Sequence, residues 1–237
     1  MAPQATPPAL CGLRLGFADW GAATLALESI LELCALPASG THRVYALGGL
    51  RLEALAAPPG AAYTSAALYR PLRCDTLLWH GPDIAAQRRH LRQLGLCTAD
   101  GDDLGGPDCL RVEAIQTSAC AVEWHAVQAA PHPDAALGLV AIELCVRAPE
   151  RTAAHWAALL DAALARDTLG APMLQAAPAA LRFVPAAESA GTGISALMFT
   201  APQAQRLAQR AAAQGIAVAA DASWKAAGLH IRSAPPA

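Results

Sequence analysis

The segment CGLRLGFADWGAATLALESILELC, residues 11–34, shows the pattern that decides the fold, because the same pattern returns further along the chain. Shifted by 63 positions, it aligns with CDTLLWHGPDIAAQRRHLRQLGLC, residues 74–97, and the two share both end cysteines, an Ala-Ala pair and three leucines. Each copy begins with a short apolar stretch, passes through a polar break and continues with apolar residues at helical spacing. The repeat therefore predicts a strand followed by an amphipathic helix in both places.

The same order of segments returns in the second half of the chain. Shifted by 53 residues, Ala148-Pro149 aligns with Ala201-Pro202. In the first copy, two alternating apolar segments flank Gly48-Gly49, a two-residue signal for a β-hairpin. We therefore predict an α+β fold of four βαβββ modules. They span residues 11–57, 72–127, 138–185 and 193–233, after a disordered tail at residues 1–10.

Composition limits the classes of partner. Lys and Arg together number 17 and Asp and Glu 19, for a net charge of −2, so there is no basic excess to neutralise nucleic-acid phosphates. Charged residues or prolines interrupt every apolar stretch before it reaches the roughly 20 residues of a membrane helix. The seven cysteines form no C-x-x-C pair, and the first ten residues lack the basic segment of a signal peptide. We expect a cytoplasmic protein that binds neither nucleic acid nor membranes.

Two short motifs are similar to a known family. The turn Gly40-Thr41-His42-Arg43 and the later Leu52-Glu53 resemble the glyoxalase-like domain of the vicinal oxygen chelate superfamily. Gly191-Thr192-Gly193-Ile194 is similar to the join between paired modules in that superfamily. The resemblance implies two tandem half-barrel domains, residues 11–129 and 137–233, each enclosing a cup. It also implies a small-molecule partner, and a homodimer is a possible assembly.

The resemblance further implies a divalent metal in the cup, held by a histidine on the first strand of a module and a glutamate on the last. The acid is present as Glu53 and Glu123, and His125 lies two residues after Glu123 on the same strand face. A catalytic group or a relocated metal site built from these three residues therefore stays open, with His42 or His80 as a further ligand. The histidine itself is missing, so no metal is expected at the usual positions. Those positions are Gly12, Thr76, Ala141 and Ile194.

Alternation along the strands assigns polar side chains to the cups. In the first strand Leu13, Leu15 and Phe17 are predicted to pack beneath the helices, while Arg14 faces the cup. Arg14 is either a clamp for an anionic ligand or a structural ion-pair partner of Glu53. The ligand-binding candidates are Arg14, His42 and His80 in the first cup and Glu143, Arg182 and His230 in the second.

Two functional hypotheses follow from these residues. One is a glyoxalase-like enzyme, a lyase, isomerase or dioxygenase, acting on a small anionic molecule with or without an unconventional divalent metal. The other is a non-catalytic protein of the same fold that binds and sequesters such a molecule. The acids Glu53 and Glu123 favour the enzyme, and the missing histidines favour the binding protein. For His230 and Glu143 an acid–base pair and a structural core pair both stay open.

Overall fold

A computed structural model of the chain describes residues 9–36, 40–56, 75–100, 108–126, 137–187 and 191–235. The predicted tail up to residue 8, the predicted linkers Pro58–Gly60 and Ala130–Asp134, and the predicted domain boundary at 129 lie outside the described residues.

The described residues of the first half form eight strands and three short helices. The strands are β1 (Ala9–Phe17), β2 (Ala35–Leu36), β3 (His42–Leu47), β4 (Leu50–Ala56), β5 (Thr76–His80), β6 (Ala99–Asp100), β7 (Cys109–Val112) and β8 (Ala121–His125). The helices are α1 (Trp20–Thr24), which continues as a π-helix (Leu25–Ile30), α2 (Ile84–Gln93) and α3 (Ala114–Thr117).

The second half repeats this order with longer helices. Its strands are β9 (Leu139–Val146), β10 (Leu164–Arg166), β11 (Pro172–Leu174), β12 (Ala180–Pro185), β13 (Gly193–Phe199), β14 (Trp224–Ala226) and β15 (Leu229–Ser233). Its helices are α4 (Pro149–Leu160) and α5 (Ala201–Ala213).

The strands form two separate mixed sheets, one for each half of the chain. The first has the order β2-β3-β4-β1-β5-β8-β7-β6, and the second has the order β10-β11-β12-β9-β13-β15-β14. In each sheet the first strands of two modules are antiparallel neighbours at the centre, and each is flanked by the parallel last strand of its own module. The prediction of an α+β fold with two tandem half-barrel domains is therefore confirmed.

The polar break of each repeat marks the start of a helix. In the first half Asp19 and Asp83 are N-caps, and their side chains accept hydrogen bonds from the backbone N–H of Ala22 and Ala86. In the second half the caps make no such side-chain bond, and a proline lies in the first turn of each helix instead. The Ala-Pro matches in the sequence therefore correspond to helix starts.

The apolar pattern predicts strands near 109–115 and 216–219 in the second and fourth modules, and both predictions were wrong in extent. In the stretch 109–115 the strand ends at Val112, because helix α3 follows. The Thr117 hydroxyl at the end of that helix donates to the carbonyl oxygen of Cys120. The stretch 216–219 contributes only a bridge from Val218 to Trp224. The strand that pairs with β15, the last strand of the module, is β14 instead.

The core lies on the helix side of both sheets and is continuous between them. Leu13, Leu15 and Phe17 are buried in one cluster with Leu27 and Ile30 of the π-helix, as the alternation predicts. The same cluster includes buried side chains from both halves of the chain. Within the described residues, no helix is both long enough and apolar enough to cross a bilayer. The opposite faces of the sheets carry the buried charges.

Candidate functional site: two cups with opposite charge patterns

A buried guanidinium lies at the centre of the N-terminal cup. Arg14 on β1 donates from Nε to Oε2 of Glu53 at 2.8 Å and from Nη1 to Oε1 of Glu123 at 2.7 Å. Register places Arg14 directly opposite Glu53, because β4 runs parallel beside β1. Glu123 comes from β8, two strands away on the other side. Their relative exposures, 4% for Arg14, 6% for Glu53 and 4% for Glu123, make this a buried ion-pair triad.

Two further arginines flank this triad at its partly exposed edge. Arg51 Nε lies 2.9 Å from Oε1 of Glu53, and Arg111 Nη1 lies 2.6 Å from Oε1 of Glu123. Burial alone would raise the pKa of Glu123, but the contact with His125 and the charge of Arg14 outweigh it and lower the pKa to about 2. The Glu123 carboxylate is therefore held ionised by its contacts with His125 and Arg14.

A second group of side chains meets at the β7–β8 end of the same cup. Cys109 on β7 is the register partner of His125 on β8, and Glu123 lies two residues before His125 on the same face. The Nε2 atom of His125 is 3.9 Å from Sγ of Cys109 and 3.4 Å from Oε2 of Glu123. The contacts with Cys109 and Glu123 raise the pKa of His125 to about 9.

Cys109 was not among the residues singled out from the sequence. Its spacing of 16 residues from His125 spans β7, α3 and the start of β8, so no short motif connects the two residues. Glu53 does not join this group, because its two oxygens contact Arg14 and Arg51. The sequence signal for this group was the spacing of Glu123 and His125, two residues apart on one strand face.

In the C-terminal cup a buried carboxylate takes the central place. Glu143 on β9 accepts from Nη1 of Arg182 at 2.5 Å and lies 3.4 Å from Nη1 of Arg232. The hydroxyl of Ser195 donates to its other oxygen at 3.1 Å. Arg182 also donates to Asp167 at 2.5 Å. Glu143 and Arg182 are buried, so the second cup also contains a closed ion-pair network.

The two networks occupy corresponding positions with opposite charge. Arg14 pairs with a glutamate 39 residues later on the last strand of its module, and Glu143 pairs with an arginine 39 residues later on the last strand of its own. The third member, Glu123 or Arg232, lies on the last strand of the neighbouring module at the same register position. The N-terminal cup thus has a cation between two anions, and the C-terminal cup has an anion between two cations.

The remaining histidine candidates do not join either network. His80 lies at the end of β5, with Nε2 3.2 Å from the carbonyl oxygen of Ala126. His42 lies on β3, and its buried Nε2 has no hydrogen-bond partner among the described residues. His230 makes no hydrogen bond to Glu143 within the described part of the chain, and burial together with Arg232 and Lys225 lowers its pKa.

The positions that hold the superfamily's metal histidine do not fit a metal here. At Gly12 a Cβ atom would lie 2.4 Å from the carbonyl oxygen of Arg51, so the backbone leaves no room for a side chain. Thr76, Ala141 and Ile194 are buried and offer no imidazole or carboxylate. The nearby cup acids Glu53 and Glu143 are already bound by arginines.

Comparison with known proteins gives matches by structure alone. No protein-family model and no curated protein sequence matches the chain. An extradiol ring-cleaving dioxygenase from B. fuscum aligns with a TM-score of 0.65 and 12% identity over 99% of this chain and 74% of that one. The Mn(II)-bound glyoxalase from Novosphingobium aromaticivorans aligns with a TM-score of 0.67 and 11% identity over 97% of this chain and 82% of that one.

A third structure matches over a larger share of its own length. The 2,2',3-trihydroxybiphenyl 1,2-dioxygenase from the dibenzofuran-degrading Sphingomonas wittichii strain RW1 aligns with a TM-score of 0.64 and 14% identity, covering 97% of this chain and 91% of that one. At such identities the likeness concerns the fold, and one fold supports many activities. The chain has the fold of these glyoxalase and extradiol dioxygenase structures.

Proposed function

We propose that the protein binds a small anionic molecule in a half-barrel cup, without a metal at the superfamily's usual position. The supporting observation is the group of arginines at the N-terminal cup. Arg51 and Arg111 lie beside Arg14 at the edge of the buried triad. Arg51 is the most exposed of the three, with a side chain that is 42% exposed.

Arg51 is the group that would meet the ligand. Arg14 donates from Nε and Nη1 to buried carboxylates, and Arg111 is held by Glu123 and, at 2.6 Å, by Glu113. The side chain of Arg51 is 42% exposed and contacts one carboxylate of the described residues, through Nε. Guanidinium groups bind carboxylate and phosphate oxygens through paired, charge-assisted hydrogen bonds. The cup edge therefore suits a small carboxylate or phosphate ester better than a neutral molecule.

Thermal melts with a panel of small carboxylates and phosphate esters test this proposal. We expect at least one of these anions to raise the melting temperature of the wild-type protein, because ligands that bind only the native state stabilise it. Arg51→Met should reduce or abolish that shift, since methionine retains the apolar stem but not the charge. Arg166→Met is the matched control, because Arg166 pairs with Glu150 on the surface of the other half.

The outcomes separate binding from a general salt effect. A shift that Arg51→Met and Arg166→Met reduce equally would contradict binding at the cup. The absence of any shift across the panel in the wild type would contradict the proposal altogether.

A glyoxalase-like enzyme, a lyase, isomerase or dioxygenase, is the second candidate. The convergence of Cys109, Glu123 and His125 favours it, because these three side-chain types act as metal ligands or acid–base groups. Turnover of a small anionic substrate that depends on His125 would favour this candidate over simple sequestration.

A further inference from the structure

Three potential metal ligands converge where β7 and β8 pair in the N-terminal cup. The Sγ atom of Cys109, a carboxylate oxygen of Glu123 and a ring nitrogen of His125 all lie within 4.8 Å of one another. We propose that these three side chains form a zinc site, away from the position at which the superfamily binds its metal. This proposal does not depend on whether the cup binds an anion.

The separations of the donor atoms agree with tetrahedral coordination. With zinc–nitrogen and zinc–oxygen bonds of about 2.0–2.2 Å and a zinc–sulfur bond of about 2.3 Å, ligand atoms lie about 3.3–3.6 Å apart. The His125 and Glu123 atoms are 3.4 Å apart, and the His125 and Cys109 atoms are 3.9 Å apart. The Cys109 and Glu123 donor atoms lie within 4.8 Å of each other, so side-chain rotation on the two paired strands must bring the thiol closer to close the site.

One oxygen of Glu123 faces the other two potential ligands. Glu123 is 4% exposed, and its Oε2 atom accepts no hydrogen bond from the described residues but lies 3.4 Å from Nε2 of His125. Arg14 and Arg111 both donate to the other oxygen, Oε1. A bound ion would give this buried oxygen a shorter and stronger contact than the histidine does. The two arginines thus hold the carboxylate in place as outer-shell partners hold a metal ligand, and leave Oε2 for the ion.

The chemistry of the three donors selects the metal. Thiolate, imidazole and carboxylate together suit Zn²⁺, whereas Mg²⁺ and Ca²⁺ prefer oxygen ligands alone. A thiolate and a carboxylate offset the charge of the ion. Cys109 is fully buried and the His125 side chain is 22% exposed, so the entry route and a fourth ligand position lie on the His125 side.

Metal titration of the purified full chain tests the site. After removal of metals with a chelator, Zn²⁺ is added in competition with a chromogenic chelator, and bound metal is counted by elemental analysis. We expect about one high-affinity zinc per chain. Cys109→Ser and His125→Gln should each weaken zinc binding by more than the roughly 10–100-fold that the loss of an outer-shell partner costs. Cys34→Ser, at an exposed cysteine, and His90→Gln, at a half-buried histidine on α2, are matched controls outside the cluster and should leave binding unchanged.

Co²⁺ substitution gives a readout that does not require a variant to fold. The Co²⁺ complex of the wild-type protein should show a thiolate-to-cobalt charge-transfer band and the intense visible bands of four-coordinate cobalt. Cys109→Ala should remove the charge-transfer band. Failure of the wild type to bind stoichiometric Zn²⁺ or to give this band would overturn the proposal. Zinc affinity unchanged in folded Cys109→Ser or His125→Gln would overturn it equally.

Discussion

Arg14 is the residue on which the N-terminal cup depends. Its guanidinium contacts two buried carboxylates that come from strands on opposite sides of β1. A buried ion pair contributes little compared with well-packed apolar residues, but the loss of one partner leaves an uncompensated buried charge. Of the two interpretations that the sequence left open for Arg14, the geometry favours a structural partner of Glu53 that is shared with Glu123.

Replacement of Arg14 by methionine should destabilise the protein by about 3–5 kcal/mol, because Glu53 and Glu123 lose their central partner. The Arg14→Met/Glu53→Leu double variant should recover part of this loss. Recovery should be incomplete because Glu123 keeps only Arg111 and His125 as charged contacts. Urea unfolding of the wild type, both single variants and the double variant measures the coupling. A single Arg14→Met variant as stable as the wild type would show that the triad is not structural.

The helices of the two halves begin by different means although their modules are equivalent. In the first half an aspartate side chain caps each helix, and Asp83 Oδ1 accepts from the N–H of Ala86 at 2.7 Å. In the second half the equivalent residues are Ala148 and Thr200, whose side chains make no capping bond, and proline supplies a preset backbone angle instead. The N-terminus of α1 and that of α2 therefore each depend on one side-chain capping hydrogen bond.

Asp83→Ala should cost about 1 kcal/mol of unfolding free energy, the usual value for the loss of an N-cap. Asp83→Asn is the matched control, because an amide oxygen can accept the same hydrogen bond, and it should change stability much less. Chemical denaturation with circular dichroism measures both. Equal losses for the two variants would mean that the charge of Asp83 matters rather than its capping bond.

The register of the strands determines which modules share a cup. Arg14 and Glu123 are separated by 109 residues, and only the antiparallel pairing of β1 with β5 and the parallel pairing of β5 with β8 bring them together. The charge inversion between the two cups has the same origin. A sequence repeat identifies equivalent strands, but it does not state which neighbours each strand will have.

At the scale of the whole molecule, hydrogen bonds between helices α3 and α4 join the two halves of the chain. The indole N–H of Trp156 on α4 donates to the carbonyl oxygen of Thr117 on α3 at 2.9 Å, and His155 Nε2 lies 3.0 Å from the carbonyl oxygen of Gln116. At Gly48, where φ is +57°, a Cβ atom would lie 2.9 Å from the carbonyl oxygen of Leu137. Together with the shared core, these contacts couple the halves.

Trp156→Phe should reduce stability by about 1–3 kcal/mol, because a buried carbonyl oxygen loses its donor while most of the packing against Phe183 is kept. Since the bond joins the halves, both should unfold in one transition in the wild type and in the variant. Trp20→Phe is the control, because Trp20 is partly exposed and its ring meets Arg43. Two separate transitions by circular dichroism and calorimetry would contradict this coupling.

The sequence by itself determined the elements and the faces of the strands. The 3.6-residue and two-residue periods are local properties, so the modules, the helix starts and the burial of Leu13, Leu15 and Phe17 could be predicted from neighbouring residues alone. The tertiary structure decided which charges meet. The partners of Arg14 and Glu143 and the meeting of Cys109 with His125 depend on strand order and register. Those are determined by the packing of the entire core, which no local pattern encodes.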